Sequence, residues 1–285
     1  MTLANPRLPP RAQRGLTILE MLVVVAILAA VSFVAYTNFD GVIDDSKERV
    51  ARAEMLEIAR AIRQFKQDTG YYPKQGPFGL ALSPYDGGID PSALPPQAGA
   101  SPAEQEAWFY SPANFWQLFE CPKVTSANGH PEWLGCNGGG AQSWDPARGR
   151  GWRGPYLNRD SQSLVDLSSD LAPDGNGDPV ETIGSTLVRE VFGIADPFAN
   201  DPVAVGSFDP HDNNLVDWRS VSRFCAGTDC EIVLGGIGGP FFAFDLDDPS
   251  AIRVVSMGAN GDYGGVNATD PCRPGDKDDI VLCLD

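Results

Sequence analysis

The sequence predicts an α+β protein: one long N-terminal helix, its first half transmembrane, packed on a small antiparallel β-sheet domain with large loop insertions. Three observations lead there. The run RGLTILEMLVVVAILAAVSFVAY, Arg14 to Tyr36, is apolar except for Glu20 near its start. Beyond it a helical pattern continues to Thr69. Further on, short β-branched and aromatic segments are bounded by glycines and aspartates.

Residues 1–15 carry Arg7, Arg11 and Arg14 and no acid, the composition of a segment held on the cytoplasmic side. A secretory signal peptide would place a small-residue cleavage site after the apolar stretch; here Gly15 precedes it. Leu16 to Tyr36 is 21 residues, about 31 Å of helix and enough to span a bilayer. A carboxylate in such a segment costs several kcal/mol unless it is paired, so Glu20 requires either a dedicated partner or a position from which it snorkels to the interface.

From Asp44 to Thr69 the composition turns to Ala, Glu, Arg, Lys and Gln, and Met55, Ile58, Ile62 and Phe65 form one apolar stripe. Gly70 and Pro73 end the pattern. Leu16 to Thr69 therefore reads as one helix of about 80 Å, weakest at Gly41. Residues 84–103, rich in Pro and Gly, read as flexible linker. Strands are expected at Glu231–Leu234, Pro240–Leu246 and Ile252–Ser256, which makes the body α+β.

The formal net charge is −17, and loss of the leader's three arginines would take it to −20. Such a body repels nucleic acid and offers many carboxylates to cations. Six cysteines after residue 120 fit an oxidising compartment. Cys121 with Cys136, Cys225 with Cys230, and Cys272 with Cys283 are the local pairings expected, although six cysteines allow others. Zinc is a poor rival, since there is no CxxC pair and His130 and His211 lack ligand spacing.

The best metal candidate is the C-terminal loop. Calcium takes oxygens from carboxylates, amides and backbone on a glycine-permissive loop. Asn260, Asp262, Asp270, Asp276, Asp278 and Asp279 supply them, with Gly258, Gly261, Gly264 and Gly265 between. A second set, Asp174, Asn176 and Asp178 with Glu181 behind, alternates oxygens without an EF-hand's glycine spacing or closing glutamate, and reads as a turn. No GxSxG, HExxH or GxxxxGK[ST] occurs, so no enzymatic reading is favoured.

The segment Arg14-Gly15-Leu16-Thr17-Ile18-Leu19-Glu20 resembles the class III signal of type IV pilins and type II secretion pseudopilins. The resemblance implies cleavage by a prepilin peptidase between Gly15 and Leu16 and N-methylation of Leu16. Leucine stands where the family usually has phenylalanine. It further implies that Glu20 pairs with the new amine of a neighbouring subunit and sets register as subunits stack. QDTGYYP (67–73), GWRGPYL (151–157), DPFAN (196–200), SMGANG (256–261) and DKDDI (276–280) resemble, in order, segments of the major pseudopilin, the last two its calcium loop. Asn260 stands at a ligand aspartate, and Asp276 to Asp279 at the closing acids.

The same resemblance implies a pilin fold with residues 1–15 as leader, 16–36 as transmembrane and filament-core helix, 37–70 as amphipathic stem, and 71–285 as a periplasmic or extracellular domain. Insertions relative to the family fall near 79–150 and 201–240. The implied function is that of a structural, non-enzymatic subunit of a type II secretion pseudopilus. It is held in the inner membrane before assembly, then polymerised through its helix to drive protein export, with calcium as cofactor. Its implied partners are copies of itself, prepilin peptidase, an inner-membrane assembly platform, minor pseudopilins and membrane lipid. The alternatives are a type IV pilus subunit serving adhesion, motility or DNA uptake, and an anchored binding domain that does not polymerise.

Overall fold

The computed structural model describes residues 18–83, 87–124, 134–136, 144–158, 163–167, 188–198, 201–203, 217–221, 232–237, 240–259, 267, 270–275 and 278–284. In chain order the elements are helices α1 (Ile18–Thr69), α2 (Pro102–Tyr110) and α3 (Trp116–Phe119), then strands β1 (Ser163–Leu167), β2 (Val188–Gly193), β3 (Asp201–Val203), β4 (Asp217–Val221), β5 (Ile232–Ile237), β6 (Phe242–Phe244), β7 (Arg253–Ser256) and β8 (Ile280–Cys283). The chain divides into two compact units, the first ending at Asp45 and the second starting at Ser46.

The expected transmembrane first half is corrected here. Among the described residues no helix is long and apolar enough to cross a membrane. Glu20 stands within the apolar start of α1, where a charge is costly in hydrocarbon. The inner-membrane, single-pass placement falls with that expectation.

In the second unit α1 buries Ala51, Met55, Ile58, Ala59, Ile62 and Phe65, positions that fall on one face at 3.6 residues per turn. The helix ends where Gly70 takes φ +88° and its N–H donates to Lys66 O at 2.7 Å. The Thr69 hydroxyl donates to Phe65 O at 2.8 Å, and Pro73 follows to bar continuation. Phe65 meets Phe78 edge-on at 4.8 Å and Tyr156 at 5.5 Å.

Of the stretch expected as linker, 84–103, Ile89 and Ala98 enter the core, and the residues after it, expected as loop insertion, supply buried aromatic side chains. Ile89, Ala98, Trp108, Phe109, Phe115, Trp116 and Phe119 are all buried. Two 3₁₀ turns, Pro91–Ala93 and Pro96–Ala98, lead into α2. There Ser101 and Glu104 form a reciprocal capping box: Glu104 N–H donates to Ser101 Oγ at 3.3 Å and Ser101 N–H to Glu104 Oε2 at 2.9 Å. Trp108 packs on Trp116 and Phe192, each at 5.8 Å. Buried amides carry the polar groups: Asn114 Nδ2 donates to Trp108 O at 2.7 Å and Gln117 Nε2 to Phe78 O at 2.7 Å.

Two antiparallel sheets follow rather than the single small sheet expected. One has the order β2-β1-β4-β5-β3 and the other β6-β7-β8. Residues 201–240, expected as a loop insertion, contribute β3, β4 and β5, and β8 lies where only loop acids were anticipated. The end of β2 meets the start of the second sheet, Phe241 N–H donating to Ile194 O at 2.9 Å. β6 and β7 are wholly buried. Arg253 in β7, 1% exposed, is paired with Asp245 and lies 5.0 Å from the Phe244 ring centroid, so its charge is compensated where desolvation is severe. Disulfides join Cys121 to Cys136 and Cys272 to Cys283.

Phe65→Ala should lower the urea-unfolding free energy by about 3–5 kcal/mol, because it empties the centre of the aromatic cluster. Ser101→Ala, at an exposed cap, should cost only about 1 kcal/mol.

Candidate assembly surface and C-terminal loop

The first unit is described from Ile18 onward. Glu20 stands in the first turn of α1, where a carboxylate suits the positive end of the helix dipole. Around it Ile18, Leu19, Met21, Leu22, Val25 and Leu28 are exposed, Ile18 at 88%. Apolar side chains continue to Phe33 on every side of the helix. Contiguous apolar surface of this extent marks an interaction site. Gly15 and Leu16, the expected processing pair, lie outside the described residues.

Among the body segments singled out in the sequence, several lie against the second half of α1. Gly151 N–H donates to Asp68 O at 2.9 Å. Trp152 is buried and its indole N–H donates to Gln117 O at 2.9 Å. Gly154–Pro155 is a cis peptide, and Tyr156 follows it onto Phe65. Lys74, where the chain leaves the stem, has its backbone N–H on Gln117 Oε1 at 2.8 Å and its Nζ on Ser111 O at 2.6 Å. Burial lowers that amine to about 7.

Asp196 opens the next segment and is buried. Its Oδ1 accepts from Phe198 N–H at 2.9 Å. Burial raises its pKa to about 6, against the lowering effect of the Phe198 and Ser256 hydrogen bonds. Glu54 of α1, half-buried, is also raised, first by burial and then by the Asp196 and Glu57 charges. Both carboxyls are therefore biased toward the protonated form where α1 packs on the body.

At the C-terminal loop, Gly258 takes φ +65°, and a Cβ there would lie 2.2 Å from the Asp278 carbonyl oxygen. The turn after β7 and the chain entering β8 therefore meet backbone to backbone, and only glycine permits it. Asp279 is buried beside Asp278. Asp270 is turned elsewhere: its Oδ1 accepts from Cys272 N–H at 3.0 Å and its Oδ2 faces Arg273 at 3.3 Å. Asn260, Asp262 and Asp276 lie outside the described residues, as do Cys225, Cys230, His130, His211 and the Asp174–Glu181 set. Among the described residues no group of three or more His, Cys, Asp or Glu is arranged to hold a metal.

The Asp196 contact was not anticipated from sequence, because its partners, Glu54 and Ser256, are far away in the chain. Compared with known proteins, residues 10–36 match the family model described as the prokaryotic N-terminal methylation motif. No curated protein and no solved structure matches the chain.

Asp196 holds its proton more tightly folded than unfolded, so the stability it contributes is full below about pH 4 and is lost as pH rises through about 6. Relative to Asp196→Asn, the wild-type unfolding free energy in urea should fall by about 3 kcal/mol between about pH 4 and pH 7.

Proposed function

We propose, from an amino terminus that carries the prokaryotic N-terminal methylation motif, that this chain is a prepilin-like structural subunit cut between Gly15 and Leu16 and assembled through α1. The observation that carries the reading is the overlap of the matched residues, 10–36, with a helix that is apolar and exposed on every side. Such a helix gains about 25 cal/mol for each Å² it removes from water, and packing on the same helix of other copies satisfies all of its faces. Glu20 gives that packing a register: cleavage creates a cationic amine at Leu16, and a glutamate on the adjoining copy pairs with it in a setting where a lone charge is costly.

A type II secretion pseudopilus is the filament favoured. GWRGPYL and SMGANG resemble that family's segments, and their residues hold the stem to the body and the C-terminal turn to Asp278. The body's five-stranded sheet and its additional helices favour the second reading, a type IV pilus subunit with a large exposed domain.

Calcium is the cofactor that the resemblance implies. The donor chemistry fits a hard cation: Asp278 and Asp279 sit beside the Gly258 turn, and Asn260, Asp262 and Asp276 add oxygens in the same stretch of sequence. Bound there, the ion would tie the turn after β7 to the entry of β8 and stiffen the outward loop.

Co-expression with a prepilin peptidase should yield a chain beginning at N-methylated Leu16, read by mass spectrometry; an intact leader would sink the proposal. Glu20→Val should be processed normally yet form no filaments, and filaments of wild-type abundance would remove the register role. Saturating calcium should raise the melting temperature by about 5–10 °C, an effect that Asp278→Ala abolishes if the loop is the site.

A further inference from the structure

The body half of α1 has a second face that the fold does not use. Arg49, Arg52, Leu56, Arg60 and Arg63 recur at intervals of three, four, four and three, which sets them in one stripe turned away from the buried Met55–Phe65 face. All five are exposed, Leu56 at 50%. Arg52 is held by Glu48 at 2.7 Å across an exposed i,i+4 pair; among the described residues no ion pair engages Arg49, Arg60 or Arg63. A solvated helix face usually mixes both signs of charge. This one sets four arginines around an exposed leucine, with Glu48 and Glu57 at its margins, in a chain with 38 acids against 21 basic residues.

We propose that this stripe is a contact surface for the acidic surface of a second copy of the same chain. An apolar centre ringed by arginine is the composition of interfaces rather than of idle surface. The complement is on the molecule itself. Asp247 and Asp248 stand exposed on the turn after β6, and Asp248 is fixed in place by Ser250, whose N–H and Oγ donate to its Oδ1 at 2.9 and 2.6 Å. Copies bearing −17 each repel one another at long range. An arginine stripe meeting an aspartate turn offsets that repulsion at one orientation only, and so supplies direction that apolar helix packing lacks. The proposal deepens the assembly reading and rests on it for the premise that copies meet.

Sedimentation velocity on the full chain tests it, at about 0.05 M and about 0.5 M NaCl, where screening lengths differ severalfold. Wild-type self-association should weaken with salt. Arg60→Glu/Arg63→Glu, a change confined to exposed side chains, should weaken it about tenfold at low salt and flatten the salt dependence, with an unchanged melting temperature. Mixing that variant with Asp247→Lys/Asp248→Lys should restore association. Unchanged affinity and salt slope in the arginine variant would overturn the proposal, as would absence of recovery on mixing. So would a wild-type chain that stays monomeric but binds heparin through these arginines, which would point to a polyanion instead. The Glu20→Val chain separates the two ideas: association that survives it unaltered counts against the helix-packing reading, whereas only the arginine and aspartate variants bear on the stripe.

Discussion

The burial of one face of α1 around Phe65 is the interaction on which the rest of the body depends. Met55, Ile58, Ile62 and Phe65 lie at about 0–1% exposure, and the side chains that cover them come from distant parts of the chain. Phe78 arrives just after the Gly70 turn and Tyr156 after the Gly154–Pro155 cis bond. Each of these segments is then secured by a buried polar bond. Gln117 is the hub, receiving Lys74 N–H, donating to Phe78 O, and presenting its carbonyl to Trp152. Removing any of these partners leaves a buried group unsatisfied, which costs more than the bond itself contributes.

The same helix shows three kinds of surface, and each matches a different task. In the first unit the described side chains from Ile18 to Phe33 are exposed all round and mostly apolar. Its body half has a single apolar stripe, which the domain does cover. On the far side of that half four arginines surround one exposed leucine. Sequence periodicity changes along one continuous helix, and the physical chemistry of each part changes with it. Among the described residues the buried Asp196 and Lys74, both shifted in pKa, are hydrogen-bonded into structural contacts.

Some of this is legible in the residues. Met55, Ile58, Ile62 and Phe65 announce a buried helix face, and Gly70 with Pro73 marks its end. Other elements are hidden for identifiable reasons. Ser101-x-x-Glu104 is a capping box, but it sits among prolines and glycines that read as linker until Trp108 and Phe109 are seen to be buried. β8 is obscured because Asp278 and Asp279, which precede it, resemble ligands of a loop. The strands of residues 201–237 look like an insertion against the family's shorter pattern, and only their pairing with one another and with β1 makes them a sheet. Asp196 and Glu54 cannot be connected at all from sequence, since only folding brings positions 142 residues apart into electrostatic reach.

By itself the sequence determined the match of residues 10–36 to the prokaryotic N-terminal methylation motif, the acid in an apolar run, the periodicity of the stem and the strongly acidic balance. These are local or additive properties, set by residue order and composition alone. Only the tertiary structure decided what was core and what was surface. It drew Ile89 and Ala98 of a supposed linker into the core, divided the strands between two sheets, raised the pKa of Asp196, and left an arginine face on α1 exposed among the described residues. Burial is the reason. It depends on which distant segments meet, and a side chain's charge, exposure and availability are fixed by that meeting.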